Sequence, residues 1–222
     1  MTPEARSIAR LRATSFQIDE DQIATLEEFF RQLRSTDQLA AGASPHELYE
    51  AQWAILGIVS RSYQLMLCCI DQIADGNWNG FYAAARGLVE TLFSIVWVSA
   101  IPERLVELVR TQEPSFGKMK NAGCRRYSEL KETYGRLSSI VHPYRESHVL
   151  GFRPVEQREE LGAWSPFTLT FSDYFAVRKV TLLVQVSESI NQELSNLLVH
   201  NNVLVKQGRV MARVAINEQD SN

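Results

Sequence analysis

Cysteine is scarce in this 222-residue chain: Cys68 and Cys69 are adjacent, and Cys124 stands alone. That spacing leaves no disulfide framework and no C-x-x-C redox or zinc pair, so a reducing compartment is the natural setting. Glycine (11) and proline (7) are too few for a collagen-like or linker-dominated protein, and 45% hydrophobic with 22% charged residues is the balance of an ordinary globular chain. Charge of one sign is lacking as well. With 23 Lys and Arg against 26 Asp and Glu, the formal net charge is -3, which excludes a basic coat for nucleic acid or a polybasic membrane binder for the molecule as a whole. Any such role has to come from a local patch.

Long uninterrupted apolar runs are missing too. The most apolar stretch, about 79–100, contains Arg86 and Glu90. Only residues 91–102 are free of charge, well short of the roughly 20 residues that a membrane span needs. It reads as a buried core helix, and no membrane association is expected. Residues 1–12 carry Arg6, Arg10 and Arg12 without the apolar core of a secretory leader, so a cytoplasmic location is expected. There is no Gly-rich phosphate loop, no nucleophile elbow of the G-x-S-x-G type and no zinc-finger spacing, which argues against nucleotide-driven enzymes, hydrolases and finger-type binders.

What the chain does have is helical periodicity. Ile23, Leu26, Phe29, Phe30, Leu33 and Leu39 predict an amphipathic helix over about 19–40. Ser44-Pro45-His46-Glu47 has a capping-box pattern, with proline at the first helical position, and predicts a long helix from there to about Ala74, stopped by Asp75-Gly76-Asn77. The apolar helix over 79–100 follows, then a short one after Pro102. Residues 111–123, with Pro114, Gly117 and Gly123, read as irregular before a helix over 124–141 that His142-Pro143 ends. Short apolar runs over 144–171 predict a loop or small hairpin, and Phe175 to Leu198 restore helical spacing to about His200. The expected fold is an all-α bundle of about five or six helices. It forms a single domain over 1–216, with a core of about 44–200, and a polar tail at 217–222 expected to be mobile.

The stretch Tyr134-Gly-Arg136-Leu137-Ser138-Ser-Ile-Val-His142-Pro143 carries the chemistry. Six positions separate Arg136 from His142, about 120° on a continuous helix. Because Pro143 ends that helix, the imidazole can swing off its terminus while the long Arg136 side chain reaches along it. A histidine that moves a proton and a guanidinium that stabilises phosphate charge suffice for RNA cleavage without a metal.

These residues resemble the motif of the HEPN superfamily, an Arg followed after four to six residues by a His near the end of a late helix. The chain is most similar to a bacterial branch that combines an Arg-x-x-x-Glu element, here Arg86 to Glu90, with a Leu-Ser-x-x-Val-His element, here Leu137 to His142. In helix order the resemblance covers roughly 44–200. It implies RNA binding or metal-independent endoribonuclease activity, often in a toxin or defence setting, with Arg136 and His142 catalytic and two protomers joining these elements at a homodimer interface. Leu137 stands where active members commonly carry a polar residue, a departure that bears on catalysis more than on the fold. The competing reading is a non-catalytic scaffold or regulatory interaction protein, in which Arg136 is a surface residue and His142 a helix-terminal cap.

Other residues fill out the expected ligand site. Arg86 and Glu90 are four apart on one face of an apolar helix, either as a network that fixes helix packing or as a phosphate contact and its orienter. Between 117 and 136, Lys118, Lys120, Arg125, Arg126, Lys131 and Arg136 face only Glu129 and Glu132, a local charge of +4 that a phosphate backbone could follow. Tyr127 and Tyr134 are candidates for base stacking or for helix packing. His142, His148 and Glu146 lack a familiar zinc spacing, so neither a metal nor another cofactor is expected. Possible partners are RNA or a nucleotide, a second copy of the chain and a regulatory protein.

Overall fold

The computed structural model describes residues 1–14, 18–41, 50–101, 104–110, 116–141, 173–200, 203–206 and 209–212. Over these the chain is the expected all-helical bundle, joined at its C-terminal end by one short hairpin. The helices are α1 (Pro3–Arg12), α2 (Glu20–Ala41), α3 (Glu50–Ala74), α4 (Trp78–Ser99), α5 (Arg104–Arg110), α6 (Phe116–Arg126), α7 (Glu129–Val141) and α8 (Asp173–His200). The hairpin pairs β1 (Val203–Lys206) with β2 (Arg209–Ala212) in antiparallel register, Val203 opposite Ala212.

The turn between α3 and α4 forms as its sequence predicts. Gly76 adopts a left-handed φ of 66°, the Gly76 amide donates to the Ile73 carbonyl at 3.0 Å, and the Asn77 amide donates to Gln72 at 2.9 Å. This is a Schellman ending, and glycine takes its left-handed position without a Cβ penalty. Asn77 then caps α4, its Oδ1 accepting from the Gly80 amide at 3.1 Å.

α4 is the central helix: 13 of its 22 residues are buried, and it packs on α3, α6, α7 and α8. By length and composition both α3 (residues 53–74) and α4 could cross a membrane, with mean hydropathies of 1.4 and 1.3. Within the bundle, 44% and 67% of their most apolar windows are buried, which fits α4 to the core role its pattern suggests. Met66, Ile70, Leu183 and Ile190 of α3 and α8, with Phe29, Phe30 and Leu33 of α2, belong to the same core, each at most 1% exposed.

Eight helical segments among the described residues exceed the expected five or six for two reasons. The first is α1, overlooked because it contributes only Ile8 and Leu11 to the core as large apolar residues. Its start is nevertheless written in the sequence: Thr2 Oγ1 accepts from the Ala5 amide, and Pro3 occupies the first turn. The second is α6, where an irregular stretch is predicted up to Gly123. Residues 116–126 are helical, and the single helix expected over 124–141 breaks at Tyr127–Ser128. There the Leu130 and Lys131 amides turn back to the Tyr127 and Ser128 carbonyls at 3.1 and 3.2 Å, while Arg126 and Tyr127 both reach α8. The hairpin over 203–212 also goes beyond the expectation. The stretches 44–47, 144–171 and 217–222 lie outside the described residues.

Candidate anion-binding groove

Helix α6 divides the basic stretch between two flanks. Met119 and Gly123 face inward and are buried. At 100° per residue, Lys118, Ala122, Arg125 and Arg126 fall on one flank of that inward line, Asn121 lies directly opposite it at the rim of that flank, and Lys120 is on the other. The first flank faces Val96, Trp97 and Ala100 of α4 and Arg104 of α5 across a groove of about 580 Å³. Four cations therefore line one concavity: Arg104, Lys118, Arg125 and Arg126.

Two of these cations are held in place. The Arg104 guanidinium lies 4.8 Å from the centre of the Trp97 ring, and its Nη1 donates to the Trp97 carbonyl at 2.9 Å. Arg126 Nε donates to Glu193 Oε1 of α8 at 3.0 Å, and the Tyr127 hydroxyl donates to the same oxygen at 2.8 Å. Glu193 is only 3% exposed, so two donors satisfy a carboxylate that would be costly to bury alone. Burial, and then the hydrogen bond to Glu193, push the Tyr127 phenol up to about 12. It remains a neutral donor throughout the physiological range. The bond to Glu193 likewise raises Arg126. A side cavity of about 280 Å³, lined by Ser99, Glu193 and Asn196, shares Val96, Ala100 and Arg126 with the groove and extends it towards α8.

The other two cations, Lys118 and Arg125, are exposed and form no ion pair with any described residue. Among the described residues, Glu193 is thus the carboxylate that pairs with a cation of the four-cation groove. A larger cavity of about 720 Å³ between α2 and α8 has the opposite character. Its cation, Arg31, is paired with Glu28, and Glu188 adds a second acid.

On the far flank of α6, Arg86 and Glu90 form the expected pair, with Nε to Oε1 at 2.9 Å and both side chains 23% exposed. Tyr134 of α7 donates its hydroxyl to the same Glu90 oxygen at 3.2 Å. Its ring lies 5.9 Å below the Arg86 guanidinium and 5.1 Å below the Lys120 ammonium. Desolvation opposes the charge on Arg86, but Glu90 and Tyr134 outweigh it and raise its pKa. The cluster ties α4, α6 and α7 together. Tyr134 is 4% exposed and Tyr127 is half-buried against Glu193, so both of these rings are occupied by helix packing.

Leu130, Tyr134 and Leu137 mark the inner face of α7. Arg136, two positions beyond Tyr134, points about 160° away from it. Its Nη2 meets Glu132 at 2.6 Å with the two side chains 76% and 74% exposed. Within one chain, Arg136 is therefore on the opposite side of α7 from the Arg86–Glu90 pair. His142, Glu146 and His148 lie outside the described residues. Among the described residues no group of three His, Cys, Asp or Glu side chains is placed to hold a metal ion. Burial pushes both Cys68 and Cys69 up, away from thiolate chemistry.

Sequence reasoning finds Lys118, Arg125 and Arg126 but misses Arg104, Asn121 and Glu193. Asn121 sits within the basic stretch and could have been read from helical spacing. Arg104 and Glu193 reach the groove only through tertiary packing, for which the sequence carries no local signal. No family model, curated protein or solved structure matches the chain.

Proposed function

We propose that this bundle binds RNA through its phosphate backbone along the groove between α4, α5 and α6, in line with the HEPN resemblance of its Arg86–Glu90 and Arg136–His142 elements. The observation that carries this reading is the convergence of Arg104, Lys118, Arg125 and Arg126 on one concave surface of a chain whose net charge is -3. Glu193 already neutralises Arg126, and the remaining three cations repel each other until an anion joins them. Arg86 and Glu90 lie outside the groove, on the far flank of α6, and join α4 to α7 through Tyr134. A cytoplasmic setting and a toxin or defence role belong to the same proposal.

The test is RNA binding measured across a range of salt concentrations. For single strands, log K falls with log salt at about 0.7 per phosphate neutralised, so contacts from Lys118 and Arg125 alone predict a slope of roughly -1.4, and from all four cations roughly -3. A slope near zero, or no binding at low salt, would remove the proposal.

A second reading, metal-independent cleavage by Arg136 and His142, is favoured by the exposure of Arg136. Its partner Glu132 is just as exposed, so the pair is weak and the guanidinium is open to a substrate or to a second copy of the chain. Arg136→Ala should leave stability within about 0.5 kcal/mol. If the reading holds, that variant and His142→Ala abolish RNA cleavage measured in excess chelator. Cleavage that survives both substitutions assigns the activity to other residues.

A further inference from the structure

We infer that the groove accepts an unpaired RNA strand and that Asn121 reads a base within it, with Arg104 as the surface on which that base stacks. This rests on the reading of the groove as an RNA site. Asn121 lies one helical turn after Lys118 and one turn before Arg125, and all three line the cavity. Lys118 and Arg125 are seven residues apart, about 10.5 Å along the α6 axis. A strand whose phosphates meet both cations must carry the intervening sugar and base past Asn121.

The chemistry of Asn121 suits that place. A base edge presents donors and acceptors side by side, and a carboxamide offers one of each in matching geometry. The Asn121 amide is exposed and makes no hydrogen bond to any described residue, so among these its polar atoms are not spent on an internal partner. Of the side chains that line the groove, it is the uncharged one with both a donor and an acceptor. A lysine or arginine neighbour that is engaged with a phosphate positions the strand and carries no sequence information.

Across the groove, Trp97 is 3% exposed and cannot itself receive a base. Arg104 covers it, anchored by both the ring and the carbonyl of Trp97. A guanidinium immobilised in this way loses little freedom when a base stacks on it, and arginine planes are a common platform for unstacked bases. Size points to the same ligand: about 580 Å³ is the volume of a site for one small organic ligand, which suits a nucleotide or two. Duplex RNA is instead gripped over many base pairs through its shallow minor groove.

The experiment measures fluorescence anisotropy of labelled short oligo(A), oligo(U), oligo(C) and oligo(G) RNAs and of an RNA duplex, with the parent protein and with Asn121→Ala. The side chain of Asn121 is exposed, so the variant should fold, which circular dichroism checks. The parent should bind single strands more tightly than duplex, with about a tenfold spread between its best and worst base. Asn121→Ala should shrink that spread to about twofold and leave the salt slope unchanged, since no phosphate contact is lost. A parent without base preference, equal binding of duplex, or a spread that survives Asn121→Ala overturns the inference while leaving the phosphate groove intact. No binding of any RNA overturns the groove reading itself, and this inference with it.

Discussion

Reversing the two unpartnered groove cations together, Lys118→Glu with Arg125→Glu, is expected to weaken RNA binding by about 100-fold or more near physiological salt. Each reversal removes an attraction to phosphate and installs a repulsion. At contact distance in a water-like dielectric each such term is about 1 kcal/mol, and screening reduces the four of them to roughly 3 kcal/mol, which is a factor of about 100 in affinity. Stability should hardly change, because both side chains are exposed and neither pairs with a described residue. The necessary control is a second pair of reversals elsewhere, Arg6→Glu with Arg31→Glu, on α1 and α2, which do not pack on α6; both are also exposed and take the net charge from -3 to the same -7. If the groove is the site, the control loses far less affinity than the groove variant, since long-range charge is screened beyond about 10 Å. Equal losses in the two variants would mean that RNA responds to the total charge of the protein and not to this groove.

How much of this was legible in the sequence differs from element to element, for physical reasons. The bodies of α2, α4 and α8 follow directly from apolar spacing, because each buries one broad face or, for α4, most of its circumference. The Asp75-Gly76-Asn77 turn was equally plain, since left-handed glycine and an asparagine cap leave few alternatives. α6 was not legible, because Gly117 and Gly123 look like breaks when the partner surface is unknown. In the bundle, Gly123 is buried against α4, and its missing side chain is what permits the contact. The site divides in the same way. The Arg86–Glu90 pair is a local i, i+4 arrangement and formed as its spacing predicts. The basic stretch as a string does not show which of its residues share a groove, because consecutive residues on a helix point in different directions and only tertiary packing decides which flank becomes a groove. Arg136 shows the same limit: spacing alone relates it to His142, but the burial of Tyr134 and Leu137 determines that it faces outward.

Gly123→Leu is expected to destabilise the protein by about 3 kcal/mol or more, which for a chain of this size lowers Tm by roughly 6–12 °C. A Cβ at position 123 would overlap the Cγ and Cδ1 atoms of Phe93, on the fixed part of the ring and not at a movable tip. Phe93 is fully buried and has its ring centre 5.6 Å from that of Tyr134, so it cannot swing aside without disturbing the cluster that joins α4 to α7. Even Gly123→Ala should give no stabilisation and cost up to about 2 kcal/mol net: overpacking costs about 1–3 kcal/mol, and the better helix propensity of alanine offsets about 1 kcal/mol of it. The sign is therefore diagnostic. A glycine that served only as a weak point in an exposed helix would give a more stable protein on substitution by alanine. The cause can be isolated with Phe93→Ala, which alone should cost about 3–5 kcal/mol but leaves a cavity where the leucine side chain can lodge. In thermal or urea unfolding, the Gly123→Leu/Phe93→Ala double variant should be more stable than the sum of the single effects predicts by about 1 kcal/mol or more. Strict additivity would mean that the two positions do not touch. The same variants bear on the groove, because α6 pushed away from α4 carries Lys118 and Arg125 away from Arg104. Gly123→Leu should therefore weaken RNA binding even at temperatures where it remains folded, and the double variant should recover part of that loss along with its stability.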